Sequence, residues 1–269
     1  MLHIATVHHG SPRWIEIQAR HLRKHISVPY QTWSSLEGID CAYAVHFDHV
    51  IEQAGPHSGK LNHLAIEISH EAQESDLIMF LDGDAFPIAD PMPLIADGLA
   101  RAPLIAVRRA ENLDDRQPHP CFCATTVGAW RRLGGDWSEG YLWPDRGGKP
   151  VTDVGGNLLR TLELTGTPWV EVLRSNRKNP DPLFFAIYGD VVYHHGAGFR
   201  KGAFRAHYES RPKLLRRPEV PVLREAVQVV NQARIFVWKL RHRGPQILQS
   251  RRIFDRIQRE DPQWVSEFM

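Results

Sequence analysis

The sequence predicts an α/β fold, with a mostly parallel central sheet flanked by helices and a helical tail at the C-terminus. Three observations lead there. Strand-like and helix-like segments alternate along the first two thirds of the chain, the pattern of a sheet built from strand–helix–strand units. Residues 77–81, Leu-Ile-Met-Phe-Leu, are apolar without interruption, as a strand covered on both faces requires. Beyond Ser210 the apolar residues fall at spacings of four and three, and positive charge accumulates, which marks amphipathic helix. The 269 residues carry 33 basic and 31 acidic side chains and 42% apolar residues, values that exclude disorder, collagen and a disulfide scaffold.

Taken in order, residues 2–7 form a short β-branched run ending in His-His-Gly-Ser-Pro, and residues 13–26 place Ile15, Leu22 and Ile26 on one helical stripe. Residues 60–74 repeat the helical signal with Leu61, Leu64 and Ile68, and the buried strand at 77–81 follows. Pro91 and Pro93 suit a helix start before residues 94–100, because the first turn's N–H groups have no intrahelical partner and proline's missing N–H costs nothing there. Residues 104–107 read as another strand, and residues 153–165 as a helix carrying Leu158, Leu159 and Leu162 and closed by Gly166. In the tail, Ala226, Val230, Ala233, Val237 and Leu240 line one stripe, Gly244-Pro245 interrupts it, and residues 247–259 resume it, which predicts two helices. From Arg211 to Met269 there are 13 basic and 6 acidic residues, against 20 and 25 before them. The expected organisation is therefore a main domain over 1–210 and a basic amphipathic tail over 211–269.

Cys41, Cys121 and Cys123 are an odd number for a bridge framework and too few for structural zinc without help from histidine, so a reducing compartment is expected. No leader-like segment or membrane-spanning run occurs, and the chain reads as cytoplasmic.

The most informative segment is residues 76–87, where the apolar run delivers Asp82 and Asp84 to its carboxyl end, the place where ligands of open α/β sheets bind. Two carboxylates two residues apart repel, and a hard divalent cation such as Mg²⁺ or Mn²⁺ relieves that repulsion. A solvated turn is the competing reading of Asp-Gly-Asp.

At these residues the chain resembles the GT-A fold, the nucleotide-diphospho-sugar glycosyltransferases with a Rossmann-like sheet whose Asp-x-Asp motif ends a central strand. The resemblance extends over residues 2–201. It implies that Asp82 and Asp84 hold the metal, that Asp82 also lies near the donor's ribose, and that the cation neutralises the leaving diphosphate. Residues 55–63, Gly-Pro-His-Ser-Gly-Lys-Leu-Asn-His, have neither the glycine spacing nor the Ser or Thr of a P-loop. In the glycosyltransferase picture they precede the Asp-x-Asp strand and make Lys60 and Asn62 donor contacts, the alternative being an ordinary helix start. By the same analogy Thr6 and His8, at the end of the first strand, adjoin the nucleoside.

Residues 193–202, Tyr-His-His-Gly-Ala-Gly-Phe-Arg-Lys-Gly, resemble the His-x-x-Gly-x-x-Lys signature of some members through His195, Gly198 and Lys201. That resemblance makes His195 a metal ligand and Lys201 a diphosphate contact, although Gly202 and Ala203 stand where Pro-Trp usually follows. His194 is the weaker candidate, since neighbouring strand residues face opposite sides. Residues 151–166 resemble the Glu-Asp motif of inverting members, with Asp153 as the base that takes the acceptor hydroxyl's proton. Thr152 replaces the usual Glu, and an Asp here also suits a helix cap. Residues 118–127 and 133–145 look like the acceptor-side segment, in which Trp137, Trp143 and Asp145 would bind a sugar, while core packing is the other reading of each tryptophan.

The tail suits an anionic membrane surface, or simply packs its stripe and leaves its charges in water; no aromatic-interleaved motif suggests nucleic acid. The sequence thus reads as a metal-dependent, inverting glycosyltransferase with a nucleotide-diphospho-sugar donor and an unnamed acceptor. Two alternatives stand beside it, a haloacid dehalogenase-type phosphatase, whose Asp-x-Asp also follows a buried strand, and a non-catalytic nucleotide-sugar binding protein.

Overall fold

The computed structural model describes residues 1–112, 114–145, 147–181, 183–196, 215 and 220–269; Lys201 lies outside the described residues. The chain forms two compact units, Met1–Phe199 with Ser266–Met269, and Arg200–Val265.

In the first unit, β1 (Leu2–His9), α1 (Ile15–His25), β2 (Tyr30–Glu37), β3 (His49–Ile51), α2 (His57–Glu71) and β4 (Leu77–Asp82) follow one another. Then come β5 (Ala85–Pro87), α3 (Met92–Arg101), β6 (Leu104–Val107), β7 (His119–Thr126) and α4 (Val127–Arg132). The hairpin strands β8 (Trp143–Pro144) and β9 (Pro150–Val151), α5 (Gly156–Thr165), β10 (Val170–Val172), β11 (Ala186–Tyr188) and β12 (Val192–His194) complete the unit. The main sheet has seven strands in the order β10-β6-β7-β4-β1-β2-β3. All neighbours run parallel except β7, which is antiparallel to both β4 and β6. A smaller antiparallel sheet, β11-β12-β5, adjoins the end of β4.

The uninterrupted apolar run of β4 is explained by the layers around it. Met79 and Leu81 face a cluster with Leu22 of α1 and Ile95 of α3, whereas Ile78 and Phe80 face Leu61, Leu64 and Ile68 of α2 and Leu158 and Leu162 of α5. With helices on both faces, both sides of each central strand must be apolar. Gly98 of α3 lies so close to β6 that an added Cβ would stand 2.5 Å from the Ile105 side chain, which fixes how near that helix approaches the sheet.

The second unit contains α6, one helix from Pro221 to Gln258 with Pro245 inside it. The two helices expected from Gly244-Pro245 are therefore one. An internal proline removes a single i→i−4 bond and obliges a local adjustment, and the turns on either side are strong enough to continue. Val229, Phe236, Leu240 and Leu248 of α6 are exposed. Among the described residues no helix is long and apolar enough to cross a membrane.

Candidate metal centre

Asp82 is the last residue of β4, and Asp84 is the second residue of the two-residue turn that leads into β5. The small sheet brings a third group to them. β12 runs antiparallel to β5 with His194 opposite Ala85, and the His195 N–H donates to the Asp84 carbonyl at 3.1 Å. Consecutive strand residues point to opposite faces, so one of the two imidazoles can meet the carboxylates. It is His194: its Nε2 lies 3.4 Å from Asp82 Oδ2 and 3.5 Å from Asp84 Oδ1. The ligand atoms of Asp82, Asp84 and His194 all lie within 4.8 Å of one another.

His195, the imidazole expected at the metal, turns into the core. Its Nδ1 is 2.9 Å from the Tyr193 hydroxyl, and its ring lies between Trp14 and Phe185. Burial lowers its pKa to about 3. The same strand geometry that separates the pair decides which histidine reaches the site.

The charges are arranged to hold the two acids ionised. Burial alone would raise the Asp82 pKa, but the hydrogen bond and charge of His57, with His119 and His194 beyond, push it well below the usual carboxylate range. Asp84 is likewise lowered against its burial, chiefly by His194. Against the desolvation imposed on it, Cys121 and Asp84 raise His194 well above its ordinary value. His194 thus faces both carboxylates at the place where a divalent cation would neutralise the same pair. Two carboxylates and an imidazole are a donor set that fits such a cation.

Two flanks enclose this centre. On the α1 side, Gln18 Nε2 donates to the backbone oxygens of Asp82 at 2.9 Å and Ala85 at 2.7 Å. Its Oε1 accepts from Thr6 Oγ1 at 3.1 Å and meets His8 Nε2 at 3.1 Å. Since Oε1 can only accept, His8 carries its proton on Nε2. Thr6 and His8, expected beside the nucleoside, are both buried and hold Gln18, which holds the Asp-Gly-Asp turn. Burial lowers the His8 pKa to about 4.

On the other side, antiparallel β7 brings its first residue, His119, between the carboxyl ends of β4 and β6. His119 Nδ1 is 4.0 Å from Asp82 Oδ2, and its Nε2 is 3.1 Å from Nη1 of Arg109, two residues past β6. His57, the first residue of α2, places Nε2 3.0 Å from Asp82 Oδ1. Sequence reasoning missed His57, Gln18, Arg109 and His119. His57 alone had a local signal, its place just before a helix that leads into the Asp-x-Asp strand.

The remaining candidates are placed as follows. Lys60 is buried against Glu37 at the end of β2. Asn62 bonds Asp136 at 2.6 Å and accepts from the Trp137 N–H at 2.8 Å, tying α2 to the segment before β8. Trp137 lies in the core against Phe80 and Trp130, and Trp143 is also buried. Asp145 caps its own hairpin, accepting from the N–H groups of Gly147 and Lys149 at 2.8 and 2.9 Å.

Asp153 is partly buried and accepts from the Val154 N–H at 2.9 Å. The N-cap of α5 is Gly155, not Asp153, and Gly155 has φ +89°. An added Cβ at Gly155 would stand 2.3 Å from the Pro118 oxygen, so the start of α5 sits directly on the segment that leads into His119.

No family model and no curated protein matches the chain. Among solved structures it is similar to the mannosyltransferase PcManGT from Pyrobaculum calidifontis, solved with GDP-Man and Mn²⁺, at 14% identity and TM-score 0.42, covering 66% of this chain and 57% of that one. It is similar to the apo form of the glycosyltransferase GlyE of Streptococcus pneumoniae TIGR4 at 12% identity and TM-score 0.40, covering 63% and 44%. It is also similar to S. aureus TarS 1-349 at 10% identity and TM-score 0.39, covering 51% and 50%. The chain spans about half the length of these proteins.

Proposed function

We propose that the chain is a metal-dependent glycosyltransferase that moves a sugar from a nucleotide diphosphate to an acceptor hydroxyl, with inversion at the sugar. The observation that supports it most is the Asp82–Asp84–His194 cluster at the carboxyl end of the central strand of a mostly parallel sheet. Ligands of open α/β sheets bind at that end, and the sequence there resembles the Asp-x-Asp motif of GT-A transferases. Two carboxylate oxygens with one imidazole nitrogen suit Mn²⁺ better than Mg²⁺, which prefers an all-oxygen shell. A cation held there would supply the charge that stabilises the departing diphosphate.

The protein's own residues supply the rest. Gln18 pins the backbone oxygens of Asp82 and Ala85, so the carboxylates present a fixed pair instead of a mobile turn. Asp153, at the approach to α5, is the proposed base for the acceptor hydroxyl. Its carboxylate is not the helix cap; among the described residues its one hydrogen bond comes from the neighbouring Val154 N–H.

The test is a panel of nucleotide sugars with Mn²⁺, scored for release of nucleoside diphosphate and, with phosphomonoesters, for inorganic phosphate. Nucleoside diphosphate release that disappears on chelation supports the transferase, while phosphate release from monoesters points to the phosphatase. In the active pairing, Asp153→Asn should lower turnover by roughly 10²-fold or more with donor binding and stability kept. Near-normal turnover in that variant removes Asp153 from the mechanism and leaves inversion to be decided by the anomer of the product.

A further inference from the structure

We propose that Arg109, at the carboxyl end of β6, is an anion-binding residue that receives an anionic oxygen of the donor beside the carboxylate pair. This rests on the transferase reading for the identity of its ligand, but the observations that carry it do not.

Arg109 is only 9% exposed, although an arginine normally keeps its charge in water. Its guanidinium makes one hydrogen-bond contact among the described residues, Nη1 to His119 Nε2; its Nε has no hydrogen-bond partner, and the Asp115 and Glu111 carboxylates act on it through space without a hydrogen bond. A buried guanidinium is ordinarily paired with a carboxylate or fully hydrogen-bonded.

The one contact it has is overcommitted. His119 Nδ1 already faces the backbone N–H of Cys121 at 3.1 Å. A neutral imidazole has a single acceptor nitrogen and an imidazolium has none. Both nitrogens of His119 face donors and it can accept from one at most. Whichever tautomer is present, one donor is left over, and the guanidinium is the one of the two that can turn to another acceptor.

Position gives that acceptor a class. His119 lies between Arg109 and Asp82, so Arg109 sits at the same strand ends as the metal cluster but on the β6 side of it, opposite the Gln18 clamp. Two residues before His119 in the chain, Gln117 is fully buried with both amide atoms unpartnered, a second surplus of hydrogen-bonding capacity on this flank. A carboxylate or phosphate oxygen matches the planar fork of the guanidinium. Within the donor, that oxygen belongs either to the diphosphate or to an acid group on the sugar.

The experiment measures binding by calorimetry to wild type, Arg109→Met and Arg109→Lys, all with Mn²⁺. The probes are inorganic pyrophosphate, UDP, GDP, UDP-hexose and UDP-hexuronic acid. Arg109→Met should bind the anionic probe roughly 10- to 100-fold more weakly, with Arg109→Lys between it and wild type. A loss shared by pyrophosphate and all the nucleotides identifies the diphosphate; a loss confined to the hexuronic acid identifies the sugar's acid group.

Equal binding by wild type and a folded Arg109→Met overturns the proposal, as does absence of binding of every probe to wild type. If Arg109→Met does not fold, wild-type affinity in Arg109→Lys assigns Arg109 to the scaffold and overturns it equally. Arg109-dependent pyrophosphate binding in a protein that turns over no nucleotide sugar would keep the anion subsite and discard the transferase. Turnover that is indifferent to Arg109→Met would do the reverse.

Discussion

On the α1 flank of the Asp82–Asp84 turn, Gln18 spends both amide hydrogens and its oxygen on protein partners, whereas on the β6 flank the Arg109 guanidinium has one hydrogen-bond contact among the described residues, with a ring that cannot serve all the donors around it. Both flanks are buried and both are polar. The difference is that the first is closed upon itself and the second has donors to spare. A satisfied network holds a shape, and an unsatisfied one waits for a ligand. The same contrast appears in charge: burial drives His8 and His21 on the closed side to about 4, while Arg109 remains a cation on the open side.

That contrast can be broken most decisively at the centre the flanks share. His194→Ala should weaken Mn²⁺ binding by about 100-fold, read by electron paramagnetic resonance of the free ion. His195→Ala should leave Mn²⁺ affinity within a few-fold and instead lower stability, because it empties a space between Trp14 and Phe185. Equal metal affinity in the two variants would mean that the small sheet does not sort the pair as the structure has it.

The next effect separates the flanks directly. Gln18→Leu leaves two backbone oxygens, the Thr6 hydroxyl and the His8 N–H without their partner, and should cost about 3 kcal/mol or more in urea unfolding. Arg109→Met should cost affinity and little stability. If Gln18→Leu is as stable as wild type, the α1 flank is not the clamp that the hydrogen bonds describe.

How much of this was legible beforehand depends on whether a feature is local. β4 was readable because a strand buried on both faces is apolar at every position, and its terminal Asp82 and Asp84 come with it. The histidine pair at 194–195 was readable as a pair, but its facing depends on the register of β12 against β5, and strands of three residues are too short to show a period. By resemblance residues 118–127 belong with the acceptor-side segment, but in the structure His119–Thr126 form β7, a central strand. Its antiparallel run is what carries His119 to Asp82. Gln18 and Arg109 are distant in sequence from what they touch, so no spacing could assign them. Gly244-Pro245 misled in the other direction, because a breaker's local cost was weighed without the helix on either side of it.

The smallest effect sharpens the closed flank. His21, on α1, is held neutral by burial with its Nδ1 3.0 Å from the Pro87 oxygen. Its pKa is about 4 when folded against 6.5 ordinarily, so the unfolded chain binds the proton more readily. Stability should therefore be full above pH 6.5 and fall as the pH drops toward 4, by on the order of 2 kcal/mol for this residue. Unfolding curves at pH 7 and pH 4.5 should diverge less in His21→Gln than in wild type, and an unchanged slope would remove His21 from the acid sensitivity.

The central claim is that Asp82, Asp84 and His194 hold a divalent cation that in turn carries a nucleoside diphosphate. Calorimetric titration of UDP, GDP and CDP, with and without Mn²⁺, into wild type and Asp84→Asn tests it most directly. Asn preserves the shape of the side chain and removes one charge from the cluster. Wild type should bind at least one nucleotide only when Mn²⁺ is present, and Asp84→Asn should lose about 100-fold or more of that affinity. Wild-type affinity in a folded Asp84→Asn protein with the Mn²⁺ effect intact, or binding that ignores Mn²⁺ altogether, would contradict it.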